Sequence, residues 1–303
     1  MGSRTARATH EAPLGNVAGR LLRQRLRAVG RAVSAVSSGS PRAEAVHRLR
    51  VSARRASAAI TAFRPLIPRR HRRWFKRSLR HIRQAAGEAR DLDVLAVRCR
   101  TSNPADSETV ARRHLADVLS KRWPETRRGL QEGIRHLRPR DWEARTDSLI
   151  AAVASAKMEQ TNAAFTRRRT RRLVGRYLVR LDDRLRSGRK IHRLRIETKK
   201  LRYALEVFAV ALPTASGTAC DRTLRQLQKR LGEFTDRAAA AARLKRWLRR
   251  EEDARARQTL VAARRLESAS AKRARRGCMR WWTESRREAI ARRLRQFQGA
   301  KTA

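Results

Sequence analysis

Two segments of this chain are copies of one another, and the copying extends far enough to dictate an architecture. Val46-His47-Arg48-Leu49-Arg50-Val51 recurs as Ile191-His192-Arg193-Leu194-Arg195-Ile196, a shift of 145 residues. Under the same ungapped shift Arg54-Arg55 falls on Lys199-Lys200, Phe63 on Phe208 and Pro68 on Pro213. Further along, Leu79-Arg80 falls on Leu224-Arg225, Gly87-Glu88 on Gly232-Glu233 and Asp91 on Asp236. Register held over this distance marks two related units, each near half of the 303 residues, and favours a pseudo-two-fold arrangement of similar halves.

Composition narrows the class. Hydrophobic residues make up 41% of the chain, enough for a core, but aromatics only 5%, and the Ala, Leu and Val that dominate suit packed helices better than a β-sandwich. Gly (14) and Pro (8) are sparse enough to leave long helices uninterrupted. Against 27 Asp and Glu stand 76 Lys and Arg, 66 of them Arg, for a net charge of +49. A compact state with that charge repels itself, so the expected partner is strongly anionic. Forked guanidinium groups favour phosphate oxygens. The cysteines Cys99, Cys220 and Cys278 are odd in number and lack a C-x-x-C pair, which suggests reduced thiols and neither a disulfide frame nor a zinc site. With no apolar stretch of about 18 residues and no apolar leader core, the expectation is a cytoplasmic protein without membrane partner, metal or cofactor.

Breakers and apolar periodicity divide the chain into helices. Residues 1–13 read as a disordered basic tail. Helices are expected from about Gly15 to Val36, Arg42 to Phe63 and Arg70 to Arg98, the second stopped by Pro65 and Pro68. After a break from Thr101 to Pro104, helical stretches to Trp123 and His136 follow, within a first unit of residues 14–155. A helix from about Asp141, interrupted or continuous, runs to Leu185 and into the second unit, residues 156–299. There the plan recurs, with a Ser187-Gly188 break, the second histidine helix to Leu212, a turn from Pro213 to Gly217, and helices of about 219–250, 252–270 and 279–297. Residues 300–303 are a tail. The expected fold is all-α, with two related bundles of about four helices each.

On a wheel of about 100° per residue, Val46, Leu49, Ala53, Ala56, Ile60 and Phe63 form one stripe, while His47, Arg50 and Arg54 lie opposite. In the second copy Ile191, Leu194, Leu201, Leu205 and Phe208 form the apolar stripe, and His192, Arg195, Lys199 and Arg202 the basic one. Neighbouring cations favour neutral histidine, which still donates one hydrogen bond to a phosphate oxygen. A single such histidine is ordinarily a helix-surface residue; its recurrence with the same flanks argues for a ligand. On the next helix Lys76, Arg80, Arg83, Gly87 and Arg90 recur at spacings of 4, 3, 4 and 3, a cationic stripe with a glycine gap that admits a ligand or a neighbouring backbone. The second copy keeps Arg222, Arg225 and Lys229, but Gln228 and Thr235 replace Arg83 and Arg90. Asp91 and Asp236 are expected to orient basic side chains by ion pairing.

The H-x-L-R-[VI]-x-x-[RK]-[RK] helix, followed about 40 residues later by an L-G-E-x-R-D-like segment, resembles the CHAD domain, the conserved histidine α-helical domain, in both halves. The resemblance runs from about residue 14 to 299. It implies two four-helix bundles related by pseudo-two-fold symmetry around a central basic channel, and binding of inorganic polyphosphate, often at cytoplasmic polyphosphate granules. Position by position it carries over to His47, Arg50, Arg54 and Arg55, and to His192, Arg195, Lys199 and Lys200; Arg202 follows only in the second copy, since Ser57 holds its counterpart position. Thr235 departs from the arginine of the R-D pair, so the two halves are not expected to contribute equally.

Three functions compete at this point. The first is polyphosphate binding without catalysis, through charge-assisted bonds and released counterions. The second is weak nonspecific nucleic-acid binding, which the charge alone supports; no base-reading motif is present, and 14 aromatics make a poor stacking platform. Runs such as Arg69-Arg70-His71-Arg72-Arg73 and Arg167-Arg168-Arg169 are expected to be solvated faces. The third is phosphohydrolase or kinase-accessory chemistry, which needs convergent carboxylates. Asp91-x-Asp93 becomes Asp236-x-Ala238 in the repeat, and no phosphate-cradling G-x-x-x-x-G-K-[ST] loop occurs.

Overall fold

The computed structural model of the chain describes residues 13–39, 41–100, 108–156, 161–181, 185–208 and 214–299. Among these, every regular element is helical. The first half supplies α1 (Leu14–Ser37), α2 (Ala43–Ala62), α3 (Arg69–Arg100), α4 (Glu108–Lys121), α5 (Trp123–Ile134) and α6 (Pro139–Ala154). The second supplies α7 (Asn162–Leu181), α8 (Gly188–Phe208), α9 (Thr214–Leu248), α10 (Ala254–Trp281) and α11 (Glu284–Gly299).

Local chemistry accounts for the ends of the first histidine helix. Arg42 is extended after Pro41, and Glu44 places a carboxylate in the first turn of α2, where the helix dipole favours it. At the far end the Phe63 N–H still bonds to the Ala59 carbonyl, but Pro65 cannot continue the ladder and the chain tightens into a 3-10 turn at Arg64–Leu66. Arg169 of α7 then donates to the carbonyls of Thr61 (2.9 Å) and Ala62 (3.2 Å). The third arginine of the Arg167–Arg169 run is therefore a cap on the C-terminus of α2, where a cation complements the dipole; only its two neighbours are solvated.

Of the two readings left open for the stretch from Asp141, the interrupted one holds: it is two helices, α6 and α7, and α6 starts with Pro139 in its first turn, where a missing N–H costs nothing. Elsewhere the helices depart from the sequence pattern. The turn expected to run to Gly217 is instead the first turn of α9. Helix α10 runs unbroken to Trp281 after an N-cap in which the Asp253 side chain accepts from the Ala256 N–H at 2.6 Å. The expected break at Thr101–Pro104 and most of the expected N-terminal tail lie outside the described residues.

Three apolar clusters hold the helices together. One joins α1, α2, the first part of α3, α5 and α6, and takes in Phe165 of α7 and Phe208 of α8. A second joins α7, α8, the first part of α9, the end of α10 and α11. The third is shared: Leu92 and Leu95 of α3 and Leu115 and Leu119 of α4 pack with Leu244 and Trp247 of α9 and Leu260 of α10. The long helices α3 and α9, equivalent in the repeat, thus each begin in the core of their own half and end in a common one. At the centre α2 packs on α8, and Phe63 meets its repeat equivalent Phe208 edge to face at 5.9 Å. Contact between equivalent residues is the pattern that a local two-fold relation produces.

Candidate functional site

The packing of α2 and α8 decides which cations converge. Val46, Leu49, Ala53, Ala56 and Ile60 on one helix, and Ile191, Leu194, Leu201 and Leu205 on the other, are buried. With the apolar stripes so committed, Arg50 and Arg54 on α2 come within electrostatic reach of Lys199, beside Arg195 on α8, and this convergence marks the candidate cleft. Each histidine helix also lies along the helix that follows it, α3 or α9. There the glycine gap is filled from within: Arg50 reaches over Gly87 and donates to the Ala86 carbonyl at 3.2 Å. A Cβ on Gly87 would come within 3.5 Å of the Arg50 Nη1, and one on Gly232 within 3.3 Å of the Arg195 Nη2. In both halves the glycine accommodates an arginine of the histidine helix, so the close approach inferred from sequence is made by the protein itself.

Electrostatics ties the cleft together across the halves. Lys199 loses proton affinity, to about 8, through burial first and then through Arg195 and Arg54, with Asp236 opposing and Arg50 adding to the shift. Two of those cations belong to the other copy. Burial likewise lowers His47, aided by Arg90, Arg54 and Arg50 against Glu44. It lowers Arg83, which also feels Arg54 and Arg80 and donates to Ser57 Oγ at 2.6 Å. Desolvated like charges held this close by the fold raise the free energy of the empty site, which an anion would relieve. Beside them opens a cavity of about 740 Å³, lined by Arg195, Lys199 and Arg202 of α8, Arg225, Gln228 and Lys229 of α9 and Arg98 of α3.

Other residues singled out by sequence are placed differently. Arg55 pairs with Glu206 at 2.8 Å, and the same carboxylate holds Arg25 at 3.1 Å and Arg202 at 3.9 Å. Lys200 is exposed and paired with Glu197 at 2.7 Å, while Arg225 pairs with Asp221 at 2.5 Å as it lines the cavity. His192 and Arg222 are exposed and do not line it. Lys76 and Arg80 are exposed on α3, and Lys76 lies about 21 Å along the helix axis from Arg90.

The carboxylates are occupied by arginines. Asp236 pairs with Arg195 at 2.9 Å; Asp91 pairs with Arg243, which also reaches Glu88 at 3.4 Å; buried Asp93 pairs with Arg127 at 2.5 Å. No three His, Cys, Asp or Glu are grouped to hold a metal ion among the described residues. Sequence reasoning missed Arg243 and Arg98, although the 145-residue shift superposes them. Each reaches beyond its own half: Arg243 of α9 to the α3 acids, and Arg98 of α3 to Glu267 of α10 at 3.4 Å, beside the cavity.

The CHAD domain profile matches residues 20–245. No curated protein matches the chain significantly. Among solved structures, the chain is similar to the CHAD domain from the plant Ricinus communis, with a TM-score of 0.74 at 22% identity over 97% of this chain and 94% of that one. It is also similar to PptA from Streptomyces chartreusis, with a TM-score of 0.59 at 16% identity over 89% of this chain and 99% of that one. At such identities the structural likeness speaks for the fold, whereas the profile match covers most of the sequence. The chain belongs to the CHAD domain family.

Proposed function

We propose that this protein binds inorganic polyphosphate, without transforming it, in the cleft between α2 and α8, and that this binding brings it to cytoplasmic polyphosphate granules. The observation that carries the reading is the crowding at Lys199, a largely buried ammonium on which Arg195 of its own helix and Arg54 and Arg50 of the other copy all act, with Asp236 opposing. CHAD domains are associated with polyphosphate, and a linear polymer of phosphate units needs only a row of such cations. In this reading residues 14–155 and 156–299 act as one unit. His47, Arg50, Arg54, Arg83 and Arg90 meet the ligand from one copy, and Arg195, Lys199, Arg202, Arg225 and Lys229 from the other. Lys76, Arg80 and Arg222 form the outer rim, and Arg55, Lys200 and His192 act at its edge.

Isothermal titration with long-chain polyphosphate tests this directly. Reversing Arg50, Arg54, Arg195 and Lys199 to glutamate removes four charge-assisted contacts and adds repulsion, so affinity should fall by at least about a thousand-fold. The two-histidine variant His47→Ala/His192→Ala should lose far less. Unchanged affinity in the four-fold variant, or displacement of polyphosphate by double-stranded DNA at equal phosphate concentration, would overturn the proposal. So would phosphate release by the purified protein with magnesium that Asp91→Ala abolishes.

A further inference from the structure

A second concave surface adjoins the cleft on the far side of α2. Helices α1 and α2 form an antiparallel hairpin, and between them lies a groove of about 510 Å³, floored by Ala28, Ala32 and Ser52. It spans Arg25 to Ala35, about 15 Å of helix. Its rim is cationic, and the charges differ in how they are held. Arg25 and Arg55, at one end, share Glu206 of α8, whose carboxylate also meets Arg202 of the central cavity. Arg31 and Arg48, at the other end, make no ion pair among the described residues. His47 lines this groove and is also within reach of the charges of Arg90, Arg54 and Arg50 in the cleft. The groove thus ends at His47, one helical turn from the Arg50 that reaches across to α3, and at its other end it is linked to the cavity by the Arg55–Glu206–Arg202 chain of contacts.

Small residues on the floor bring anion and backbone close while the long arginines stand at the sides. We propose that the α1–α2 groove is a second anion-binding segment, which takes the continuation of a linear polyphosphate chain after it leaves the central cleft past His47. This rests on the central cleft being the primary site. It gives His47 a role that His192 does not share, since His47 lines the α1–α2 groove whereas His192 lies outside it, at the edge of the cleft.

The proposal makes affinity depend on ligand length. Tripolyphosphate is held by the cleft alone; a long chain occupies both segments. Arg31→Gln/Arg48→Gln should therefore weaken long-chain polyphosphate about ten-fold near physiological salt and lower the slope of log K against log[salt] by roughly 1–2. Tripolyphosphate affinity should stay within about two-fold. Circular dichroism and the thermal midpoint check that the variant folds, which two substitutions at solvent-facing positions permit. Equal loss for both ligands, or no loss and no change of salt slope for the long chain, would overturn the groove. The parent protein in the same titration tests the cleft separately, because failure of the parent to bind either ligand removes the primary site.

Discussion

Lys199 gives the cleft a measurable pH dependence. Its ordinary value is 10.5, and burial among arginines lowers it to about 8 in the free protein. A bound phosphate reverses both causes, since it supplies the opposite charge and hydrogen bonds to the ammonium, so binding above pH 8 takes up a proton. If the complex restores the ordinary value, at pH 7 about 90% of Lys199 is charged in the free protein and nearly all of it in the complex, but at pH 9.5 only about 3% is charged in the free protein against about 90% in the complex. Affinity then falls roughly 30-fold between pH 7 and pH 9.5, a loss of about 2 kcal/mol. The sign is fixed: lowering the lysine in the free state makes binding tighter on the acid side and weaker on the alkaline side. Calorimetry in buffers of different ionisation enthalpy counts the protons, and uptake should approach one near pH 9. Lys199→Arg supplies the control, because a guanidinium stays charged throughout and should flatten the profile. A flat profile in the parent, or the same slope in Lys199→Arg, would refute the argument that desolvated cations hold the free site in a strained state.

Three further outcomes test the scaffold. Arg127→Met leaves Asp93 charged and unpaired in the interior and should cost about 3–5 kcal/mol in urea unfolding, whereas Arg127→Met with Asp93→Leu should recover most of it. Phe165→Ala removes a fully buried ring stacked on Phe63 and should cost about 3–5 kcal/mol in the same measurement; a loss under about 1 kcal/mol would mean that α7 does not anchor the halves there. Arg243→Gln releases Asp91 and Glu88 and should cost about 1–3 kcal/mol, read as a lower urea midpoint with an unchanged slope.

The histidine helices were legible because their ends are written in local chemistry. Prolines, an acidic first turn and a period of three and four decide where α2 begins, which face it buries and where it stops. The same logic placed α1 and α3 to within a few residues. It failed at Gly217, where a Cβ would meet the ring of Phe297 at 3.9 Å, and between 270 and 279, where the Ala- and Arg-rich segment continues the helix up to Cys278 and Trp282, both buried in the second core. The site was legible as a set of charges but not as a set of partners. Glu206 lies outside every motif, yet it neutralises Arg25 and Arg55 from another helix, a pairing that no sequence spacing encodes. The shared third core escaped for the same reason, since its residues come from four helices scattered over both halves.

The asymmetry between the copies also changes meaning in three dimensions. Compared along the chain, α9 loses a cation where Gln228 replaces Arg83, and α8 gains one where Arg202 replaces Ser57. Taken separately these are unrelated differences on two helices. In the first half, however, Arg83 donates to Ser57 Oγ at 2.6 Å, so the two positions face one another between the packed helices. In the second half Arg202 and Gln228 line the same cavity. Each half therefore keeps one arginine and one neutral partner at this pair of positions, with the arginine moved from the following helix onto the histidine helix. The exchange also orients the charge differently, because Arg202 is additionally held by Glu206 and Asp221 and stacks on the Tyr203 ring at 4.4 Å. Thr235 at the position of Arg90 has no such compensation, since its hydroxyl is buried and bonded to the Leu231 carbonyl. Over these three positions the second half thus lacks one cation, at the place where the first half sets Arg90 against His47. That leaves the first half with the more strongly charged exit from the cleft, the one that adjoins the α1–α2 groove.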